Sequence, residues 1–295
     1  MTAPAPANVH LKMRAALPGL PPAEQRIARF CIDDPAAATL PITQLAAQCE
    51  TSTTSIVRFY RRLGYEHFID FRLDLTAETV RERAAIADFP QVTGDIDRDD
   101  DLSDIVSKVV VNETLSISDT SATLDIDALG RAVALVTEAR EVSTFGIGAS
   151  SIVGLDLQQK LTRIGRTALS WRDPHAAWTS AVTLRNDSVA IAISHSGRTP
   201  EVVRYLTLAR EAGAATIAVT NFADSPLAEF ADVSLITAAR ETPFRSGALG
   251  SRIAQLMVVD CLFIGVTQAS YERSMAAIHR TYEALHPESG AQQAG

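Results

Sequence analysis

Cysteine is scarce in this chain, and basic charge is in deficit. Cys31, Cys49 and Cys261 are odd in number and far apart, which excludes a disulfide framework and metal-ligand spacing, so they read as core thiols. Lys+Arg total 27 against 35 Asp+Glu, a net charge of −8, which argues against a protein that coats nucleic acid by bulk attraction. The apolar runs break well short of the roughly 18 residues a membrane span needs. The opening Met1-Thr-Ala-Pro-Ala-Pro-Ala-Asn has neither the basic n-region nor the apolar h-region of a signal peptide. A soluble, cytoplasmic chain with no membrane association is therefore expected. Internal repeats are also lacking. What is present is 46% hydrophobic residues over 295 positions, enough to bury cores and, by length, to build about two domains.

The charge is unevenly spread. Residues 1–76 carry 8 Lys+Arg against 7 Asp+Glu, whereas the remainder carries 19 against 28, so any nucleic-acid contact belongs to the N-terminal segment. Within it, Val9, Leu11, Met13, Ala16 and Leu17 space a first helix that stops at Pro18-Gly19, and a second runs from Pro21-Pro22 to Asp33-Asp34-Pro35. Residues 42–49 read as a short helix, Glu50-Thr51 as a turn, and Ser52 as the N-cap of a helix over 53–63 that ends at Gly64. Two short helices joined by a tight turn make a helix-turn-helix. At 100° per residue, Ile56, Tyr60 and Leu63 form the buried stripe of the second helix, flanked by Val57 and Phe59. Thr54, Ser55, Arg58, Arg61 and Arg62 fall opposite. With Ser52, these are the candidate DNA-binding residues: Arg58 can reach guanine edges, Thr54 and Ser55 bases or phosphates, and Arg61 and Arg62 the backbone.

A helix from His67 into Ala85 gives way to Pro90, Gly94 and the acidic run 95–101, which reads as a linker. Beyond it, helical patterns near 103–118 and 125–139 precede strand-like runs at 141–145, 166–171, 188–193, 216–220 and 233–237. Strands alternating with helices predict a doubly wound, mostly parallel five-stranded α/β sheet. The expected organisation is a helix-turn-helix domain over 1–80, a linker over 81–101, an α/β domain over 102–286 and a disordered tail over 287–295.

The third strand runs into Ser194-His-Ser-Gly-Arg-Thr-Pro200, with Thr199 suited to a helix N-cap and Pro200 to the first helical position. One hydroxyl beside a helix start is explained as a cap. Three around a glycine, at a strand's carboxyl end, point to an anion site, probed first as phosphate. The first strand runs into Phe145-Gly-Ile-Gly-Ala-Ser-Ser, where Ser150 and Ser151 offer a second polar loop facing the first. A dinucleotide reading, with Asp173 as ribose ligand, is weakened because Ser151 stands where a third glycine belongs.

These stretches resemble a known family. Pro22-Ala-Glu-Gln-Arg-Ile-Ala, Gln44-Leu-Ala and Ser55-Ile-Val-Arg-Phe-Tyr-Arg-Arg-Leu-Gly64 are similar to the DNA-binding domain of RpiR regulators. Glu50 and Thr51 depart from it, since the family usually has Gly in that turn. The C-terminal part resembles the SIS (sugar isomerase) domain, which binds phosphosugars through Gly-x-Gly-x-Ser and Ser-x-Ser-Gly-x-Thr loops. Residue by residue, the resemblance implies Gly146, Gly148 and Ser150 for the first loop, and Ser194, Ser196, Gly197 and Thr199 for the second, with His195 between them. Residues 244–256 resemble the same domain in RpiR regulators, making Arg245 and Ser246 further pocket candidates. The resemblance thus implies a homodimeric or homotetrameric regulator that binds operator DNA, senses a phosphorylated sugar and controls sugar or amino-sugar catabolic genes. It implies no catalytic residue, metal or cofactor. The alternative is a phosphosugar isomerase or amino-sugar-phosphate lyase, for which Glu201 and His195 are the nearby bases.

Overall fold

The computed structural model describes residues 9–85, 97–240 and 248–286. The linker residues Pro90 and Gly94, the pocket candidates Arg245 and Ser246, and the tail from 287 onward lie outside them. The chain divides into two compact units, Met1–Thr123 and Leu124–Gly295.

Among the described residues of the first unit the regular structure is helical: α1 (Val9–Ala16), α2 (Pro22–Asp33), α3 (Ile42–Gln48), α4 (Thr53–Arg62), α5 (Phe68–Ala85) and α6 (Leu102–Thr123). Its core gathers Met13, Ile27, Leu45, Ile56, Phe59 and Phe71. Phe59, expected only to flank the buried stripe of α4, is fully buried and meets Phe71 edge to face. Cys31 and Cys49 are buried in this core. Burial pushes both thiols up, Cys49 to about 11, so they stay protonated and inert near neutral pH. Helix α6, which the sequence pattern grouped with the α/β part, falls in the first unit. Arg81 of α5 pairs with Glu78 on its own helix and with Asp119 of α6.

The second unit begins with α7 (Ile126–Glu138) and alternates β1 (Glu141–Gly146), α8 (Ala149–Arg163), β2 (Thr167–Trp171), α9 (Pro174–Ala181), β3 (Ser188–Ile193), α10 (Pro200–Glu211), β4 (Ala215–Thr220), α11 (Pro226–Glu229) and β5 (Val233–Ile236), closing with α12 (Leu249–Ala269) and α13 (Tyr271–Leu285). All five expected strands form, in the order β2-β1-β3-β4-β5 with every pairing parallel. In β3, Val189, Ile191 and Ile193 face one core, shared with α7, α8 and α12. Ala190 and Ala192 face the other, shared with α9 and α10. The period-two alternation of large and small residues thus sets a three-layer stack. Helix α12 is long and apolar enough, by length and composition, to cross a membrane, although polar residues such as Asp260 interrupt its apolar runs. Its Val258, Val259, Leu262 and Val266 are nonetheless buried in the first of these cores.

The strand order reverses between β1 and β3, so the loops following these two strands diverge at their carboxyl ends. This is the crevice in which open α/β sheets bind ligands. It is where the two serine-bearing loops lie.

Candidate functional site

In the first unit, α3 and α4 form the expected helix-turn-helix. The Ser52 side chain caps α4 by accepting from the Ser55 N–H at 3.2 Å, and its hydroxyl lies 3.1 Å from that of Ser55. Both hydroxyls are therefore engaged locally. Thr54, Arg58 and Arg61 are exposed, as the helical spacing required. Arg62 is half-exposed, but its Nε donates at 2.8 Å to Oε2 of Glu24, a nearly buried carboxylate on α2. This engages one edge of the guanidinium while half of the side chain stays exposed, so Arg62, expected to meet the DNA backbone, also ties α4 to α2.

Both helices end in the same motif. At the end of α4, the Tyr65 N–H donates to Tyr60 O and the Gly64 N–H to Arg61 O, with Gly64 at φ 91°. At the end of α3, the Thr51 N–H donates to Ala46 O and the Glu50 N–H to Ala47 O, with Glu50 at φ 49°. This pattern calls for a left-handed residue, ordinarily Gly. The turn is held by Arg26 of α2, whose Nε and Nη2 donate to the carbonyls of Cys49 and Glu50 at 3.2 and 3.0 Å. The departure from glycine therefore leaves the turn's geometry intact.

In the second unit, a cavity of about 340 Å³ opens at the β1/β3 crevice. Gly148, Ser150, Ser194, His195, Ser196 and Thr199 line it. Gly197 sits within the same loop at φ 61°, and an added Cβ would overlap the Ser225 side chain and come within 2.7 Å of Thr220 Oγ1. Only glycine lets the loop pass this close to the end of β4. The loop is also tied there by its backbone: His195 O accepts from the Asn221 N–H at 3.0 Å and from Thr220 Oγ1 at 3.2 Å, and Gly197 O accepts from the Leu227 N–H at 3.0 Å. The His195 ring meets Phe222 edge-on.

The expected cap at Thr199 does not form. Thr199 makes no side-chain cap bond, and its hydroxyl lies 3.0 Å from that of Ser194. At the start of α10, Pro200 has no N–H, and the Val202 and Val203 N–H groups donate to Thr199 O at 3.1 and 3.0 Å, so what this helix start offers an anion is its dipole and the neighbouring hydroxyls. Gly148, at φ 62° and ψ −129°, begins α8 likewise without a side-chain cap. The Ser151 hydroxyl donates back to Gly148 O at 2.7 Å, while Ser196 Oγ accepts from the Arg198 N–H at 3.2 Å. Asp173 caps α9 through the Ala176 N–H at 2.9 Å, so the ribose role is corrected to a helix cap.

A third element reaches the cavity from the stretch 244–256, whose expected pocket residues Arg245 and Ser246 lie outside the described residues. Helix α12 starts at Ala248, which has φ 58° and makes no side-chain cap, and both Ala248 and Ser251 line the cavity. Three helix starts without side-chain caps therefore meet around one opening. Each carries the partial positive charge of a helix N-terminus. Among the described lining residues there is no Asp, Glu, Lys or Arg; Glu201, in the first turn of α10, is not one of them. Such a wall recognises an anion through backbone dipoles and hydroxyls.

The family model described as the helix-turn-helix domain of the rpiR family matches residues 7–82, and that of the SIS domain matches 135–265. An uncharacterized HTH-type transcriptional regulator of Caldanaerobacter subterraneus is 35% identical over 90% of this chain and 92% of its own. The Vibrio vulnificus NanR protein, solved in complex with ManNAc-6P, superposes with a TM-score of 0.59 at 28% identity, covering 95% of this chain and 98% of its own. The sugar isomerase domain of an RpiR transcription factor from Sphaerobacter thermophilus shares the fold of the second unit, with a TM-score of 0.56 at 23% identity over 61% of this chain and 98% of its own. The chain belongs to the RpiR family of helix-turn-helix transcriptional regulators that carry a SIS domain.

Proposed function

We propose that this regulator senses a phosphorylated sugar in the cavity of its second unit and reads operator DNA with α4. The phosphate is held at the start of α10 by the hydroxyls of Ser194, Ser196 and Thr199, at the positive end of the helix dipole. Gly148, Ser150 and His195 face the rest of the ligand. The observation that carries this reading is the meeting of three helix starts without side-chain caps around one opening of ligand size. NanR, a relative along nearly the whole chain, was solved with a sugar phosphate. On α4, Arg58 contacts base edges, while Arg61, Thr54, Ser55 and Ser52 contact the phosphate backbone and neighbouring bases. Operator reading by such a helix works in pairs, so the active form is a homodimer or homotetramer acting in the cytoplasm on sugar or amino-sugar catabolic genes.

The protein is a sensor and not an isomerase. Proton abstraction beside a carbonyl needs a positioned base, and Glu201 is placed where a carboxylate already complements the helix start. A thermal-shift screen of sugar phosphates, with the unphosphorylated sugars as controls, tests the reading. A ligand at 100 times its Kd adds about 2.7 kcal/mol, whereas no stabilisation by any sugar phosphate would contradict it. Long incubation of a stabilising compound should leave it chemically unchanged.

A further inference from the structure

One polar group beside the cavity has no partner. Gln255 lies on α12 one turn after Ser251, a lining residue, and is 1% exposed. One arm of its amide, Oε1, accepts from Ser150 Oγ, a second lining residue, at 3.2 Å. The other arm, Nε2, is buried and makes no hydrogen bond. Native proteins seldom leave a buried amide donor unmatched, and such a group at a site is satisfied by a ligand or an ordered water. Gln255 is not itself a lining residue, but the Ser150 contact sets its amide directly behind one, and Ser251, one turn earlier on α12, is another.

We infer that Gln255 is a ligand-contacting residue: its Nε2 donates to an oxygen of the sugar portion when the phosphate occupies the start of α10. This assignment rests on the phosphate reading above and deepens it, because it gives the site two ends with different chemistry. The α10 end takes the phosphate. The α12 end takes an uncharged oxygen acceptor, a hydroxyl, ring or carbonyl oxygen, and gives nothing to an ammonium, which has no lone pair for an N–H donor. Ser150, its hydroxyl turned to Oε1, holds the amide in that orientation and leaves its lone pairs for the same ligand.

The test is calorimetric titration of the full-length protein with three probes: inorganic phosphate, ManNAc-6P and glucose 6-phosphate. In Gln255→Met, which keeps the side-chain volume and removes the amide, affinity for the sugar phosphate that binds wild type should fall about tenfold, the weight of one buried hydrogen bond. Affinity for inorganic phosphate should stay within about twofold, well inside the spread expected for a group that makes no contact. The double variant Ser194→Ala/Ser196→Ala should weaken both classes of probe. Equal weakening of phosphate and sugar phosphate in Gln255→Met would make Gln255 structural, and no weakening of either would remove it from the site. Both results overturn the assignment while leaving the phosphate site standing. Unchanged phosphate binding in the double serine variant would instead overturn the phosphate reading, as would the failure of both sugar phosphates to bind wild type. Should Gln255→Met not fold, Gln255→Asn, whose amide is withdrawn by one methylene, must show the same split between probes.

Discussion

Glu50 holds a conformation that costs a non-glycine residue roughly 1 kcal/mol or more, and it does so in the turn that sets the angle between α3 and α4. Arg26 offsets this by binding two turn carbonyls. Glu50→Gly should therefore raise the stability of the first unit by about 0.5–1 kcal/mol, the strain relieved being partly returned as unfolded-chain entropy. A denaturation midpoint that falls in this variant would show that Glu50 is not strained. Arg58 and Arg62 look alike in the sequence, four residues apart on one basic face, but separate in the structure. Arg58→Ala should cost about 1–3 kcal/mol of operator affinity, relax preference at one base pair and leave stability alone. Arg62→Ala strands the nearly buried Glu24 carboxylate and should lower stability by roughly 1–2 kcal/mol, discounted for the exposure of the arginine. Thermal melts alongside operator titrations distinguish them, and equal melts for both variants would contradict the Glu24 contact.

At the scale of elements, most of the architecture was legible because it depends on local pattern. The alternating Val-Ala-Ile-Ala-Ile of β3 announces a strand buried on both faces, and Ser52 and Gly64 bracket α4 with side-chain and backbone chemistry that needs no tertiary partner. Strand order was not legible, since nothing local tells β1 that its neighbours are β2 and β3, yet this order places the two loops side by side. The missed contacts are long-range: Arg62 with Glu24 across 38 positions and Ser150 with Gln255 across 105. Thr199 failed as a cap for a local reason: its hydroxyl lies 3.0 Å from that of Ser194, which directly follows β3. Gly197 illustrates how an element constrains the site. A methyl group there would collide with Ser225 and Thr220, so Gly197→Ala should displace the loop and abolish sugar-phosphate stabilisation in a thermal-shift assay. Retained stabilisation would mean that the loop does not hold the phosphate.

For the whole molecule, two compact units carry two jobs, and regulation requires a free-energy coupling between them. Such couplings are typically about 1–3 kcal/mol, and they act only through ligand that is bound. Losing the hydroxyls of Ser194 and Ser196 removes charge-assisted hydrogen bonds worth about 1.5–3 kcal/mol each. A protein with both serines replaced by alanine should therefore bind operator as the ligand-free wild type does and ignore the effector at concentrations that switch the wild type. The direct measurement is fluorescence anisotropy of a labelled operator duplex, selected from a random library, titrated with wild type and Ser194→Ala/Ser196→Ala, each with and without the sugar phosphate found in the thermal screen. The account predicts equal operator affinity without the sugar phosphate and a response confined to wild type. A double variant that responds at the same sugar-phosphate concentration as wild type would contradict it and place the phosphate site elsewhere.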